Sequence, residues 1–455
     1  EWSPRFDYAR VAPQIEFVEG VWVAHLGTRV LCLTGAENGT LVKEATGLAV
    51  RSSFRMQSGD ERAIVTSWGE PKSRGSLALS LRELGSTVYA WQSWAYHREV
   101  VLSPDWAGPW YHLVVRSALT LKLLTHADTG AIAAAPTTSL PESIGGMRNW
   151  DYRYSWIRDG SLIAQALISI GHTEEAIEFL VWMENVAQAT VHGKRDPQIM
   201  YGIHGESSLQ EIVLDHLEGY RGSAPVRVGN AAASQRQLEV YGELINTAYE
   251  LLRRDVPISR RVLDFVRDIA DRVFILWREP DHGIWEIRGE PRHFTYSKVM
   301  CWVAMDRAIL LADRCGLGWD AGGWQQARDE IHAEVLEKGY DPEVGAFVIS
   351  FGSKDLDAAN LRIPLLGFLP FDDFRVQGTI DRTQKQLMKN GMVFRYNTDD
   401  NLPGNEGAFN ICTFWLIDVL ALSGRTNEAR TVFEAMVGRA NHVGLFSEQI
   451  DPATS

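Results

Sequence analysis

The chain has 455 residues, 45% of them hydrophobic and 23% charged. That balance excludes an intrinsically disordered chain and supplies enough length for about two or three ordinary cores. A formal charge of -13, with no basic stripe, argues against nucleic acid and anionic membranes as partners, and no apolar run reaches the roughly 18 residues of a membrane span.

No signal-peptide pattern opens the chain at Glu1. Residues 1 to about 105 alternate apolar and polar between turn signals, as in Val21-Trp22-Val23-Ala24, Val30-Leu31-Cys32-Leu33 and Ala63-Ile64-Val65-Thr66-Ser67-Trp68. This pattern predicts the strands of an antiparallel β-sandwich. A Pro/Gly-bearing segment from Ser103 to Trp110 marks a boundary, so the expected domains are 1–105 and 106–455. Cys32, Cys301, Cys315 and Cys412 are scattered along the chain. Buried free thiols are expected rather than bridges, which fits a reducing cytoplasm.

Beyond the boundary the apolar period changes from two to 3.6 and stays there. Helices are predicted over 110–126, 158–171, 173–189, 233–254, 258–278, 295–315, 321–338, 356–366, 374–390, 406–423 and 425–440, with no strand between them long enough to pair. The run Phe409-Asn410-Ile411-Cys412-Thr413-Phe414-Trp415-Leu416-Ile417 is apolar nearly all round, which suits an inner ring packed on both sides. The more amphipathic 258–278 suits an outer ring. Antiparallel hairpins alternating between the two rings predict an all-α (α/α)6 barrel, its twelfth helix beginning where Ser455 ends the sequence.

Antiparallel succession gathers alternate connections at opposite ends. One set is short, as at Gly171-His172 and Gly424-Arg425; the other, 127–157, 190–232, 279–294, 339–355, 391–405 and 441 onward, is long and rich in charge, aromatics and glycine. Long loops on one end of a rigid scaffold are where sites are built. The first contains Arg148-Asn149-Trp150-Asp151-Tyr152-Arg153-Tyr154-Ser155-Trp156-Ile157-Arg158-Asp159. Aromatic rings beside multidentate polar groups fit a pyranose, which has an apolar face and a rim of hydroxyls. A buried ion-pair network is the competing reading.

The chemistry falls to carboxylates, because no metal-ligand spacing, phosphate-cradling glycine loop or Gly-x-Ser-x-Gly turn occurs, and no cofactor or metal is implied. Asp399-Asp400 reads as a turn rather than a magnesium site. Glu286 lies among apolar neighbours that would keep it protonated as a general acid. Glu448, with small polar neighbours, suits a charged carboxylate that activates water. Acid and base flanking a sugar, with room for water between them, is the arrangement of an inverting glycosidase.

These segments also carry a resemblance. Asn149 through Asp159, then Gly283-Ile284-Trp285-Glu286, then Ser447-Glu448-Gln449, supported by Ala135 through Glu142, Tyr220 through Asn230 and Glu406-Gly407-Ala408-Phe409, resemble glycoside hydrolase family fifteen, which comprises glucoamylases, glucodextranases and bacterial trehalases. The resemblance spans about 105–452. It implies a β-sandwich followed by an (α/α)6 barrel, with Glu286 as acid and Glu448 as base. It further implies that Arg158 and Asp159 bind the outer hydroxyls of the non-reducing glucose and that Tyr152, Trp156 and Trp285 line that subsite. Tyr220, Arg227, Arg395 and Glu406 would lie near the entrance or the leaving sugar. The expected activity is release of β-glucose from the ends of α-glucans or short α-gluco-oligosaccharides, with trehalose as the alternative substrate and a non-catalytic sugar-binding barrel as the reading outside catalysis. The family's larger sandwich and its final helix imply further sequence at both ends.

Overall fold

The structure is a computed structural model of residues 1–455. It describes 1–44, 47–70, 76–96, 107–192, 196–396, 398, 400, 402–404, 406 and 407–453. The chain divides into two compact units, Glu1–His97 and Arg98–Ser455.

In the first unit, β1 (Gln14–Val18), β2 (Val21–Leu26), β3 (Arg29–Thr34) and β6 (Val65–Trp68) form an antiparallel sheet in the order β1-β2-β3-β6. Strands β4 (Thr40–Glu44) and β5 (Gly47–Arg51) form a separate hairpin. The registers Phe17↔Trp22 and Trp22↔Leu33 put alternate residues on one face, as a period of two requires. There Ile15, Trp22, Ala24 and Leu33 pack with Phe6, Ala36 and Val50. A feature not predicted is α1 (Leu77–Tyr96), which replaces the strands expected in this stretch. Its apolar residues Leu77, Leu81, Leu84, Val88, Trp91 and Ala95 recur every three or four positions, a helical spacing that reading the region as uniformly alternating overlooked.

The second unit is helical. Its helices are α2 (Tyr111–Leu123), α3 (Ile157–Ser169), α4 (Glu174–His192), α5 (Glu239–Arg253), α6 (Arg260–Leu276), α7 (Thr295–Cys315), α8 (Gly322–Glu334), the short α9 (Arg362–Leu365) after a 3-10 turn, α10 (Phe374–Gln386), α11 (Asn410–Leu422) and α12 (Thr426–Val437). Two layers emerge from their packing. Helix α5 lies between α3 and α7, while α6 lies between α4 and α8 and also packs on α5 and α7. The inner helices are buried nearly all round: α5 buries even Glu239, Glu243 and Asn246, and α11 buries Asn410 and Thr413. Close approach explains a glycine in that layer, since a Cβ on Gly242 would stand 2.3 Å from the Met300 carbonyl oxygen.

The 233–254 prediction began too early. Ala231–Ser234 is a 3-10 turn, and Gln235 is extended before α5 begins. The connections also contain two-residue strands that do pair, including Ser155–Trp156 with Met200–Tyr201 and Ala408–Phe409 with Gln449–Ile450. They are too short to show as alternation. All four cysteines are free; Cys32, Cys301 and Cys412 are buried and Cys315 is half-buried. No helix among the described residues is long and apolar enough to cross a membrane.

Candidate active site

Two chambers open at the loop end and share Tyr152, Trp285, Glu286 and Arg395. The inner one, about 150 Å³, is lined also by Trp156, Arg158, Asp159, Phe409, Trp415 and Glu448. The outer one, about 250 Å³, is lined also by Glu142, Arg148, Trp150, Gln235, Asp400 and Glu406. Residues of the fourth long loop, 339–355, are absent from both walls among the described residues.

Glu286 ends a tight turn. It carries φ +58°, unusual for a residue with a side chain, and Gly283 before it carries φ +70°, with the Phe294 ring 2.9 Å from where a Cβ would stand. The strained turn is held from outside by Gln235 Nε2, which donates to the Glu286 carbonyl (3.2 Å), and by Arg158 Nη1, which donates to that of Ile284 (3.0 Å). The Glu286 carboxylate accepts from Trp156 Nε1 (2.8 Å) and Arg158 Nη2 (3.3 Å), both on Oε1. The apolar setting read from the local sequence is therefore incomplete: two donors from a loop some 130 positions away reach the carboxylate. Trp285 is anchored by donating Nε1 to buried Asp357 (2.8 Å) and packs against Phe409 and Trp415. Burial pushes Asp357 up to about 7, against the opposing effect of the Trp285 N–H.

Arg158, at the start of α3, is the hub of the inner wall. Besides Glu286 it contacts Asp159 (3.2 Å), Gln237 (3.1 Å) and fully buried Glu239 (3.4 Å). Burial disfavours its charge, but Asp159, Glu286 and Glu239 outweigh that and hold the guanidinium protonated. Asp159 is raised, first by burial and then by Glu286, against Arg158.

Glu448 reaches the same chamber from the last loop. Asn410 fastens that loop to α11, donating its backbone N–H to the Glu448 carbonyl (3.0 Å) and its Nδ2 to that of Ser447 (2.7 Å). The residue is exposed on the chamber wall, yet its carboxyl is pushed up to about 7. Desolvation is the first cause, opposed by Arg395 and reinforced by Asp159, Glu142 and Glu286. Small polar sequence neighbours suited a charged carboxylate; they gave no sign of the desolvation, and then of the acidic residues from other loops, that raise it in the fold.

The Arg148–Asp159 stretch divides its labour. Asp151 is fully buried and accepts from Arg153, Tyr154 and the Gly229 N–H. Its carboxyl stays below the usual range, because these partners outweigh burial. Arg148 is also buried, donating to both Asp400 oxygens (2.7 and 2.9 Å), to Glu406 (2.7 Å) and to the Leu402 and Pro403 carbonyls. Here the ion-pair reading describes Arg148, Asp151 and Arg153, while Tyr152, Trp156, Arg158 and Asp159 face the chambers. Arg395 and Glu406 pair with each other, Arg395 lining both chambers and Glu406 the outer one.

Two sequence candidates stand elsewhere. Tyr220 is 49% exposed in a 3-10 turn and lines neither chamber. Arg227 is buried behind the wall, donating to the Met147 and Asn149 carbonyls, pairing with Glu211 and lying over the Trp150 ring. Both came from the resemblance alone; of the Tyr220–Asn230 run that carried them, Asn230 lines the outer chamber. Asp400 is taken up by Arg148, Tyr396 and the Leu402 N–H; Asp399 lies outside the described residues. Among the described residues no cluster has the composition of a metal site.

Residues 109–454 match the family description "Glycosyl hydrolases family 15". The chain belongs to that family. Within family 15 it is similar to the trehalase of Thermoplasma volcanium, with 41% identity covering 99% of this chain and 70% of the relative. The trehalase of Mycobacterium tuberculosis is 38% identical, covering 99% of this chain and 66% of the relative. Among solved structures, a bacterial glucoamylase complexed with acarbose superposes with a TM-score of 0.71 at 16% identity, over 95% of this chain and 69% of that one. This likeness makes the family 15 fold glucoamylase-like.

The sequence reading of this family 15 site missed Glu142, Arg148, Trp150, Gln235 and Asp357. Arg148 and Trp150 lay inside the stretch already singled out, and Glu142 closed a quoted run. Gln235 and Asp357 carry no local signal.

Proposed function

We propose that the chain is a glycosidase that hydrolyses trehalose with inversion, on an (α/α)6 barrel preceded by a β-sandwich. The trehalase reading replaces the glucan-end preference expected from the motifs. It draws on similarity over 99% of this chain, and 66–70% of the relatives, to proteins named trehalase, whereas the glucoamylase likeness concerns the fold.

The observation that carries the mechanism is that Glu286 and Glu448, on different loops, line one chamber with Arg158 and Asp159. One glucose sits in the inner chamber against Tyr152, Trp156 and Trp285, its hydroxyls bonded by Arg158 and Asp159. With Oε1 of Glu286 held by Trp156 and Arg158, Oε2 is the oxygen that delivers a proton to the glycosidic oxygen. Glu448 removes a proton from the water that attacks the anomeric carbon from the opposite face. The second glucose leaves through the outer chamber, past Arg395 and Glu406.

Inversion makes a specific demand on the products. Cleavage of an α,α-linked disaccharide by attack at one anomeric carbon gives one β-glucose and one α-glucose; retention would give two α. Proton NMR during the first turnovers, with trehalose, maltose, isomaltose and maltoheptaose offered in parallel, should show trehalose preferred and the two anomers in equal initial amounts. Only α-glucose at early times refutes inversion, and preference for maltoheptaose refutes the trehalase reading.

A further inference from the structure

Beyond the shared Glu286, the outer-wall groups Arg148, Asp400, Glu406 and Arg395 satisfy one another, and Glu142 does not join them. Glu142 keeps only 9% of its side-chain surface and is fixed at both ends. Its backbone N–H donates to the Arg148 carbonyl (2.9 Å), and its Oε1 accepts from Trp150 Nε1 (3.2 Å). Trp150 is in turn fixed by the Ser139 hydroxyl, which accepts from its backbone N–H (2.7 Å). Oε2 of Glu142 is buried, and among the described residues no donor makes a hydrogen bond to it. The nearest charge, Arg148 Nη1, is 3.7 Å away and already bonded to Asp400 and Glu406. A buried carboxylate oxygen without a donor is costly, and a sugar hydroxyl is a donor of the right size and polarity. Burial raises the Glu142 carboxyl, only partly countered by Arg395, as expected of an under-satisfied group.

We propose that Glu142 is a specificity-determining residue of the outer chamber, its Oε2 accepting a hydrogen bond from a hydroxyl of the leaving sugar. This rests on reading that chamber as the seat of the second glucose. The acceptor rewards a leaving group with a hydroxyl at that point and does nothing for one without hydroxyls. Loss of a hydrogen bond to a charged group translates to about 10- to 100-fold in kcat/KM.

The test compares trehalose and maltose with α-D-glucosyl fluoride, whose leaving group is a bare fluoride, in the wild type, E142A and E142Q. The expected result is that the disaccharide-to-fluoride ratio of kcat/KM falls about 10- to 100-fold in E142A and less in E142Q, whose one oxygen stays on Trp150 Nε1 and whose NH2 can meet the sugar hydroxyl only as a neutral donor. Equal losses on both kinds of substrate would mean that Glu142 serves the fold or the chemical step, and an unchanged ratio would mean that it touches no sugar; either overturns the proposal. Because the ratio is read on whichever disaccharide the wild type cleaves, a preference for maltose would refute the trehalase reading while still testing Glu142. A wild type that cleaves the fluoride and neither disaccharide, or none of the three, refutes both.

Discussion

The two chambers meet at four shared residues, yet apart from Glu142 on the outer wall their carboxylates are in opposite states. In the inner chamber Glu286 is held by one oxygen, and Glu448 stands among like charges, so both keep unused hydrogen-bonding capacity. In the outer chamber Arg148, Asp400, Glu406 and Arg395 are bound to one another. Unsatisfied groups are costly to keep but available to a substrate; satisfied ones give shape and rigidity. On the proposed function, reaction belongs with the first set and the outline of the second sugar's seat with the other.

The sharpest way to break this contrast is to neutralise the inner carboxylates. Glu286→Gln and Glu448→Gln should each lower kcat on trehalose by about 100- to 10,000-fold, the range for a lost general acid or base. Calorimetry should still detect glucose binding, because Arg158 and Asp159 are untouched. Retention of wild-type turnover in either variant would remove that residue from the mechanism.

Disrupting the outer set should act on folding first. Arg148→Met takes from Asp400 its one cation among the described residues and leaves Glu406, which keeps Arg395, with half its pairing, both side chains being largely buried. Breaking such a pair costs about 3–5 kcal/mol, measurable as a shift in urea midpoint at constant slope. A change under 1 kcal/mol would show that the network is not a structural unit.

The smallest effect sharpens the contrast through pH. With Glu448 at about 7 and required as a base, kcat/KM should fall as pH drops below about 7. The effect on stability has a defined sign. The folded-state value lies above the ordinary glutamate value of 4.5, so between about 4.5 and 7 the folded chain holds a proton that the unfolded chain has released. The contribution of this group therefore declines as pH rises through that window. Glu448→Gln should flatten the decline, so its melting temperature relative to wild type should be higher at pH 8 than at pH 5. An equal difference at both pH values would remove Glu448 as the source.

Much of the helical unit was legible from periodicity, because an apolar face recurring every three or four residues is a local property. The predicted 295–315 helix is found at Thr295–Cys315, most others shift at their ends where caps and 3-10 turns decide them, and 356–366 shrinks to Arg362–Leu365 behind the 3-10 turn Ala358–Leu361. Helix α1 had the same signal and was missed beside genuine strands. The alternation of long and short connections also pointed to the loops carrying Glu286 and Glu448.

By itself, then, the sequence determined where helices form, which loops are long, and which carboxylates stand in them. Tertiary structure alone decided their state. Arg148 meets Asp400 across 252 positions, Trp156 meets Glu286 across 130, and Trp285 meets Asp357 across 72. Such pairings have no period to betray them. They exist because most buried polar groups find a partner wherever the folded chain brings one, and a wall carboxylate left without a full set, Glu142, could be recognised only once its neighbours had been matched.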